Sequence, residues 1–544
     1  MLSFGLIDDV LLEALGQARL HLPTGGPVLL SASAMTTKQF IFTHTSECTN
    51  KDFRSEVDLD DIQGDVVVQF PKRVEDFVFF KIRDGALFKQ HAMPSILPKI
   101  SSAKAVIGTR ESIANFKATG AKELLSTGFI NIGFTYNGLK ILGLDPEELY
   151  AGFETPDVLK QGQLVCAEKL GDPMEDRKPK EWINEFKKQH DQIHGILLIA
   201  GDSDSTLQKF RDDVKLALGN NAEVIYELRG QVRPGANKGH EHFGWKDGIS
   251  NPWLKGVFCE CQKVPGQLEA ERVGHPGDND RTSDDKSEAF KRPSWAKNGS
   301  YMAFRQYDQL VPEFHKWTVD NAIDLKIPGM SPDQLREKGA ALRAAQLVGR
   351  WPSGTPLELS PHEDNLSIAS NPKQVNNFLF KPDDQTKCPF SAHIRKLNPR
   401  VDYSNSDNDG NKFNFDENSI IRAGIAYGPE VEPEENKEHK TRHSRGLAFV
   451  AYQNDIIQGF QLQQTAWANN TEFPPTKHNG PNFNFWGLDP LIGQNQQSQP
   501  PEARVTTDNV GNRVNIGRFI IPRGGAYFFV PPLQTLKQLC AVHL

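Results

Sequence analysis

Cysteine is scarce in this chain, with six in 544 residues. Cys48, Cys166, Cys388 and Cys540 stand far apart, and only Cys259 and Cys261 come close, flanking Glu260. Two neighbouring thiols without a second pair fall short of a zinc site, so free thiols are the expectation. Nothing in such sparse usage demands an oxidising compartment. Long apolar runs are missing too: no stretch approaches the ~18 residues that a membrane-spanning helix needs. Basic charge is not in excess. With 62 Lys and Arg against 69 Asp and Glu, the net charge is -7, and no basic block offers itself to a nucleic-acid backbone. Gly (44) and Pro (35) stay at ordinary levels, which excludes collagen-like and wholly disordered chains.

What is present is core material. Apolar residues make up 38% of the chain, including 33 Phe, and at roughly 100–200 residues per domain the length suggests two to four domains' worth. The opening MLSFGLIDDVLLEALGQARL is interrupted by Asp8, Asp9 and Glu13 and has no basic flank, so it does not read as a secretory signal. Leu6, Val10, Leu11 and Leu15 fit a short amphipathic helix instead. The chain as it stands leaves cytoplasmic residence, non-classical export and an earlier-removed leader open.

Residues 1–60 read as an N-terminal extension, and compact character begins at DIQGDVVVQF, where Val66 to Val68 suggest a strand. EDFVFFKI, HGILLIAG and AEVIYELRG continue the strand pattern. Between the last two, Leu207, Phe210, Val214 and Leu218 recur at helical spacing. Strand, helix and strand with short links is an α+β signature. The polar stretch from about 265 to 297 marks a boundary: 61–275 forms one module, 276–297 a linker and 298–544 a second module. The second opens with GSYMAFRQY, carries helical DQLREKGAALRAAQLVGRW, and returns to strands at RGLAFVAYQ and GGAYFFVPP.

Three segments hold residues suited to chemistry. GWKDGISNP places Asp247 on a turn between glycines, where a carboxylate is held rigidly or simply caps its own backbone. CPFSAHIRKLNPR places His393 near Arg395 and Arg400, either as a structural imidazole or as a metal ligand with guanidinium groups close by. SIIRAGIAYGPEV sets Arg422 at a strand end, a common place for an ordinary ion pair.

In this order the segments resemble the dye-decolorizing peroxidase family. Gly244, Trp245, Lys246, Asp247 and Gly248 match its glycine-x-x-aspartate-glycine motif, and the other two segments match its proximal-histidine and distal-arginine stretches. LVGRWPSGTP, WANN and the strand segments above add to the likeness, which runs from about 60 to 540 and is nearest the long-chain fungal branch.

The resemblance implies an α+β fold of two ferredoxin-like modules with antiparallel sheets, and haem b bound between the sheet and helices of the C-terminal module. It implies His393 as the iron ligand, with Asp489 of WGLDPLIGQ as the partner of its other nitrogen, and Asp247 and Arg422 as the pair acting on hydrogen peroxide. Arg395 would meet a haem propionate, and Leu447 and Phe449, alternating on one strand face, would line the distal wall. Trp467 and Tyr427 match positions that carry a radical outward to bulky aromatic donors, and either ring could equally serve packing. The family thus implies a peroxidase oxidising dyes and phenolics, with no nucleic-acid or membrane partner. Two other readings compete: a non-catalytic haem carrier on the same fold, and a non-haem metal site built from His240, His242 and Asp247.

Overall fold

β-branched and aromatic content favours strands in EDFVFFKI, FINIGF and ILLIAG, and every residue but one of the first is buried. A computed structural model describes residues 57–541, apart from 122, 150–156, 255, 259–291, 383, 401–414, 475–486, 495–504 and 508–512. Its main sheet contains nine strands: β1 (Val74–Ile82), β2 (Gly128–Phe134), β3 (Gly195–Gly201), β4 (Ala222–Gln231), β5 (Ser300–Gln309), β6 (Ile421–Arg422), β7 (Ile425–Tyr427), β8 (Gly446–Gln453) and β9 (Ile520–Val530). The order is β5-β9-β2-β3-β1-β4-β7-β8-β6, and a further β8–β5 pairing closes it into a barrel. All these pairings are antiparallel.

The order shows how two halves make one barrel. The first half contributes β2-β3-β1-β4, with α2 (Ala103–Ala118) between β1 and β2 and α3 (Asp204–Leu218) between β3 and β4. The second contributes β9-β5-β8-β7, so each half is a ferredoxin-like four-stranded sheet. The seams are short: Phe134 opposite Phe529 on one side, Gly230 opposite Tyr427 on the other. Edge-to-edge closure gives both sheets partners for the backbone groups that free edges would expose. Both faces of β1 are buried: Phe77 and Phe79 pack with Phe304 and Phe528, while Val78 and Phe80 pack with Leu207 and Val214 of α3.

Val66–Val68 do not form the expected strand. They lie in a short helix, α1 (Gly64–Val68), with every residue buried, and Asp65 accepts from the Phe70 amide just beyond it. An unbroken apolar run carries no period, so it fits a helix buried all round as well as a buried strand. The N-terminal amphipathic stretch, Cys48, Cys259 and Cys261 lie outside the described residues, as does most of 276–297. Cys166, Cys388 and Cys540 form no disulfide among the described residues.

Helix α4 (Pro332–Val348) occupies the helical segment expected in the second half, opened by a Ser331 and Gln334 capping box and stopped by Gly349 at φ 90°. No described helix is long and apolar enough to cross a membrane.

Candidate active site

The loop after β4 folds on itself through backbone bonds between Glu241 and Trp245 and between Gly239 and Asp247. It turns at Gly244 (φ 108°) and Gly248 (φ 76°), conformations that suit glycine, and the Gly248 amide donates to the Asp247 carboxylate at 2.6 Å. The Asp247 side chain meets Arg422, whose guanidinium donates to it at 2.8 Å and to the Ser250 carbonyl at 2.9 Å. Burial works against the charge on Asp247, while the Arg422 guanidinium and the Gly248 amide favour it. Arg422 is itself fixed at its backbone. The Asn251 side chain accepts from its amide, and both Asn251 and Gln69 donate to its carbonyl.

His393 begins the short helix α5 (His393–Leu397), and its Nδ1–H donates to the Asp489 carboxylate at 2.8 Å. Asp489 is fully buried, and its second oxygen accepts from the amides of Leu491 and Ile492. Burial opposes the Asp489 charge, but His393 and those two amides prevail and hold the carboxyl below its ordinary range. The bond fixes the imidazole tautomer and leaves Nε2 as the available nitrogen.

Asp247, Arg422 and His393 line one cavity with Leu447 and Phe449, the two alternating residues of β8. Strands of the second half, α5 and the residues around the end of α4 share its wall with the Glu241–Pro252 loop of the first half. Phe243, Val348, Leu397, Phe460, Leu491 and Ile520 make the wall largely apolar. With Nδ1 engaged, the His393 Nε2 would hold the iron of a haem, and the apolar wall and the polar Asp247–Arg422 corner fit such a group.

One implied role requires correction. Arg395 does not line this cavity. Its guanidinium is fully buried, donates to the carbonyls of Lys381, Asp384 and Cys388, and stacks on Phe380 and Phe390. The shape of the α5 turn explains this: a side chain two residues after His393 is carried away from the face on which His393 sits. Tyr427 and Trp467 are both buried, at 4% exposure each. Tyr427 donates its hydroxyl to Asp308, and Trp467 stacks on Phe473 with ring centres 5.2 Å apart. His242 is turned to the Tyr427 carbonyl and His240 to that of Lys238, so the two imidazoles do not converge with Asp247. Among the described residues no group of three or more His, Cys, Asp or Glu is placed to hold a metal ion.

Sequence reasoning missed Lys246, Arg350, Asn398 and Asn251, all of which line the cavity, and it left Arg400 as a mere neighbour of His393. Lys246 and Asn251 stand within GWKDGISNP, and Arg350 lies in LVGRWPSGTP, so their presence in matching segments was the available signal.

A barrel of two fused ferredoxin-like sheets thus brings a carboxylate, a guanidinium and a carboxylate-backed imidazole around one apolar cavity. Residues 61–234 match the family described as the DyP dimeric alpha+beta barrel domain. A dye-decolorizing peroxidase of Exidia glandulosa is 36% identical over 494 residues, covering 89% of this chain and 87% of that one. The structure of an ancestral D-type dye decolorizing peroxidase superposes with a TM-score of 0.78 at 39% identity, covering 89% of this chain and 99% of the other. A dye-decolorizing peroxidase solved in complex with 2,6-dimethoxyphenol gives a TM-score of 0.72 at 34% identity, covering 89% and 100%. The chain belongs to the dye-decolorizing peroxidase family, whose members are haem enzymes, and it is a peroxidase of the fungal type.

Proposed function

We propose that the chain binds haem b through His393 Nε2 and uses Asp247 and Arg422 to reduce hydrogen peroxide while oxidising dyes and phenolic donors. The observation that carries this reading is the 2.8 Å Asp247–Arg422 pair in the same cavity as an imidazole whose other nitrogen is bonded to Asp489. Haem, when bound, supplies the iron that takes up the oxidising equivalents of peroxide.

The protein's own groups divide the remaining work. Asp489 keeps the His393 ring oriented and raises the basicity of Nε2. Asp247, as a carboxylate, takes the proton from one peroxide oxygen and returns it to the other, directly or through one water. Arg422 stays charged at any working pH and stabilises negative charge as the oxygens separate. The apolar wall from Leu447 and Phe449 keeps competing water out. A carrier needs the axial imidazole alone; a paired acid and cation is what peroxide cleavage requires.

The phenolic part of the proposal follows the relative solved with 2,6-dimethoxyphenol. The burial of Tyr427 and Trp467 means that neither ring offers a broad contact face to a bulky dye, so any role in electron transfer is that of an interior relay. His393→Ala tests the core of the reading. Loss of the Soret band after expression with ample haem is expected, while full haem occupancy with an unchanged band would overturn the ligand assignment.

A further inference from the structure

Charge is unevenly distributed around the cavity. Its lining holds four cations, Lys246, Arg350, Arg400 and Arg422, against two acids, Glu241 and Asp247. Asp247 is engaged by Arg422, and Glu241 accepts from the Phe243 and Trp245 amides and from Gln309. Arg350 and Arg400 instead converge on one neutral acceptor: both donate to the Asn376 amide oxygen, at 3.1 and 2.6 Å. Arg350 also donates to the carbonyls of Gly354 and Val375 and lies over the Phe378 ring, and among the described residues it meets no carboxylate.

Lys246 reaches the same place. Its backbone amide donates to the Pro352 carbonyl, and its Cδ lies 3.6 Å from where a Cβ on Gly354 would stand. Among the described residues its ammonium makes no hydrogen bond or ion pair. Burial pushes Lys246 below its ordinary value, and it pushes Arg350 down to about 9 with help from Arg400 and Arg422. Lys246 is half-buried and Arg350 buried, and a cation so placed without an anion is costly; a ligand anion removes that cost.

We propose that Lys246 and Arg350 form a carboxylate-binding end of the cavity, taking the place that the resemblance implied for Arg395. The inference rests on the haem reading above. The carboxylate comes either from the side chains of the cofactor or from an acidic aromatic donor, and the chemistry at Lys246 is the same for both. Lys246 is the group to vary, because Arg350 also ties backbone carbonyls together.

Full-length apoprotein is titrated with haem and with haem dimethyl ester, following absorbance and tryptophan quenching, for wild type, Lys246→Met and Lys246→Arg. Losing a charged hydrogen bond typically weakens binding about 10–100-fold. Wild type should prefer haem to its ester by that order, Lys246→Met should lose most of the preference with ester affinity unchanged, and Lys246→Arg should keep it. In a second arm, KM is compared for 4-hydroxy-3,5-dimethoxybenzoate and its methyl ester on haem-loaded protein. If the cofactor preference survives in Lys246→Met but the preference for the acid donor is lost, the carboxylate is the donor's. If Lys246→Met changes neither preference, the inference is overturned while the haem reading stands. Wild type that binds no haem would overturn both.

Discussion

At the scale of single residues, the site depends on which neighbour each charged group is given. Asp247 sits between two opposed influences, burial against ionisation and Arg422 with Gly248 for it. Removing the guanidinium leaves burial less opposed, so the Asp247 pKa rises in Arg422→Leu. The sign follows directly: a carboxylate that must be ionised to accept a proton then fails at higher pH, and the acid limb of the peroxide reaction moves upward. Rapid-mixing measurements across pH should show that movement, together with a loss of about 10²–10³ in rate from the missing cation. An acid limb that stays in place in Arg422→Leu would separate the two side chains functionally. Asp247→Asn should lose most of the peroxide reaction at every pH, since an amide cannot take the proton; rates matching wild type would assign the shuttle to another group.

Elements set the distances between these residues. His393 heads a helix of five residues, too short to hold its direction by itself. Its support comes from Asp489 on one side and from the end of α4 on the other. Gly349 closes α4 at φ 90°, and a Cβ there would stand 2.4 Å from Ile394 Cγ1, next to His393. Gly349→Ala therefore combines backbone strain of about 1 kcal/mol or more with a clash that displaces α5. Lower thermal stability and faster haem loss should appear together. A variant with wild-type melting and haem retention would show that α5 is held elsewhere. The strands, by contrast, were legible: every strand segment singled out after residue 70 forms a strand, because β-branched and aromatic content over a longer run acts locally. Val66–Val68 failed for lack of a period.

At the scale of the whole molecule, the main sheet closes into one barrel, and buried ion pairs tie the fold to pH. Glu435, fully buried, accepts from the Arg445 guanidinium and from the amides of Glu432, Arg442 and His443. Burial opposes its charge, but these donors hold its pKa down to about 2. A carboxyl whose folded pKa lies below its unfolded value, near ~4.3, stabilises the fold fully above that value and loses the contribution as pH falls toward 2. Denaturant melts between pH 5 and 2 should therefore show a slope that is reduced in Glu435→Gln. Equal slopes would place the acid sensitivity in other carboxylates. Closure also makes the chain's end indispensable, since β9 stands between β5 and β2. Ending the chain before Ile520 should yield no cooperatively folded protein by calorimetry.

The sequence alone determined the α+β class, most strands and helices, the His393, Asp247 and Arg422 segments and the Asp489 candidate. Each of these rests on local pattern or on ordered motifs that survive without coordinates. Only the tertiary structure decided that the two sheets share edges, because β2–β9 and β4–β7 each join strands from different halves through a single opposed pair. It also decided which cations face the cavity. Arg395 and Lys246 each stand within two residues of a site residue, yet one is turned onto backbone carbonyls and aromatic faces while the other lines the cavity. Nearness in sequence leaves side-chain direction open; direction is set by the turn of the backbone and by the neighbours that distant segments bring to it.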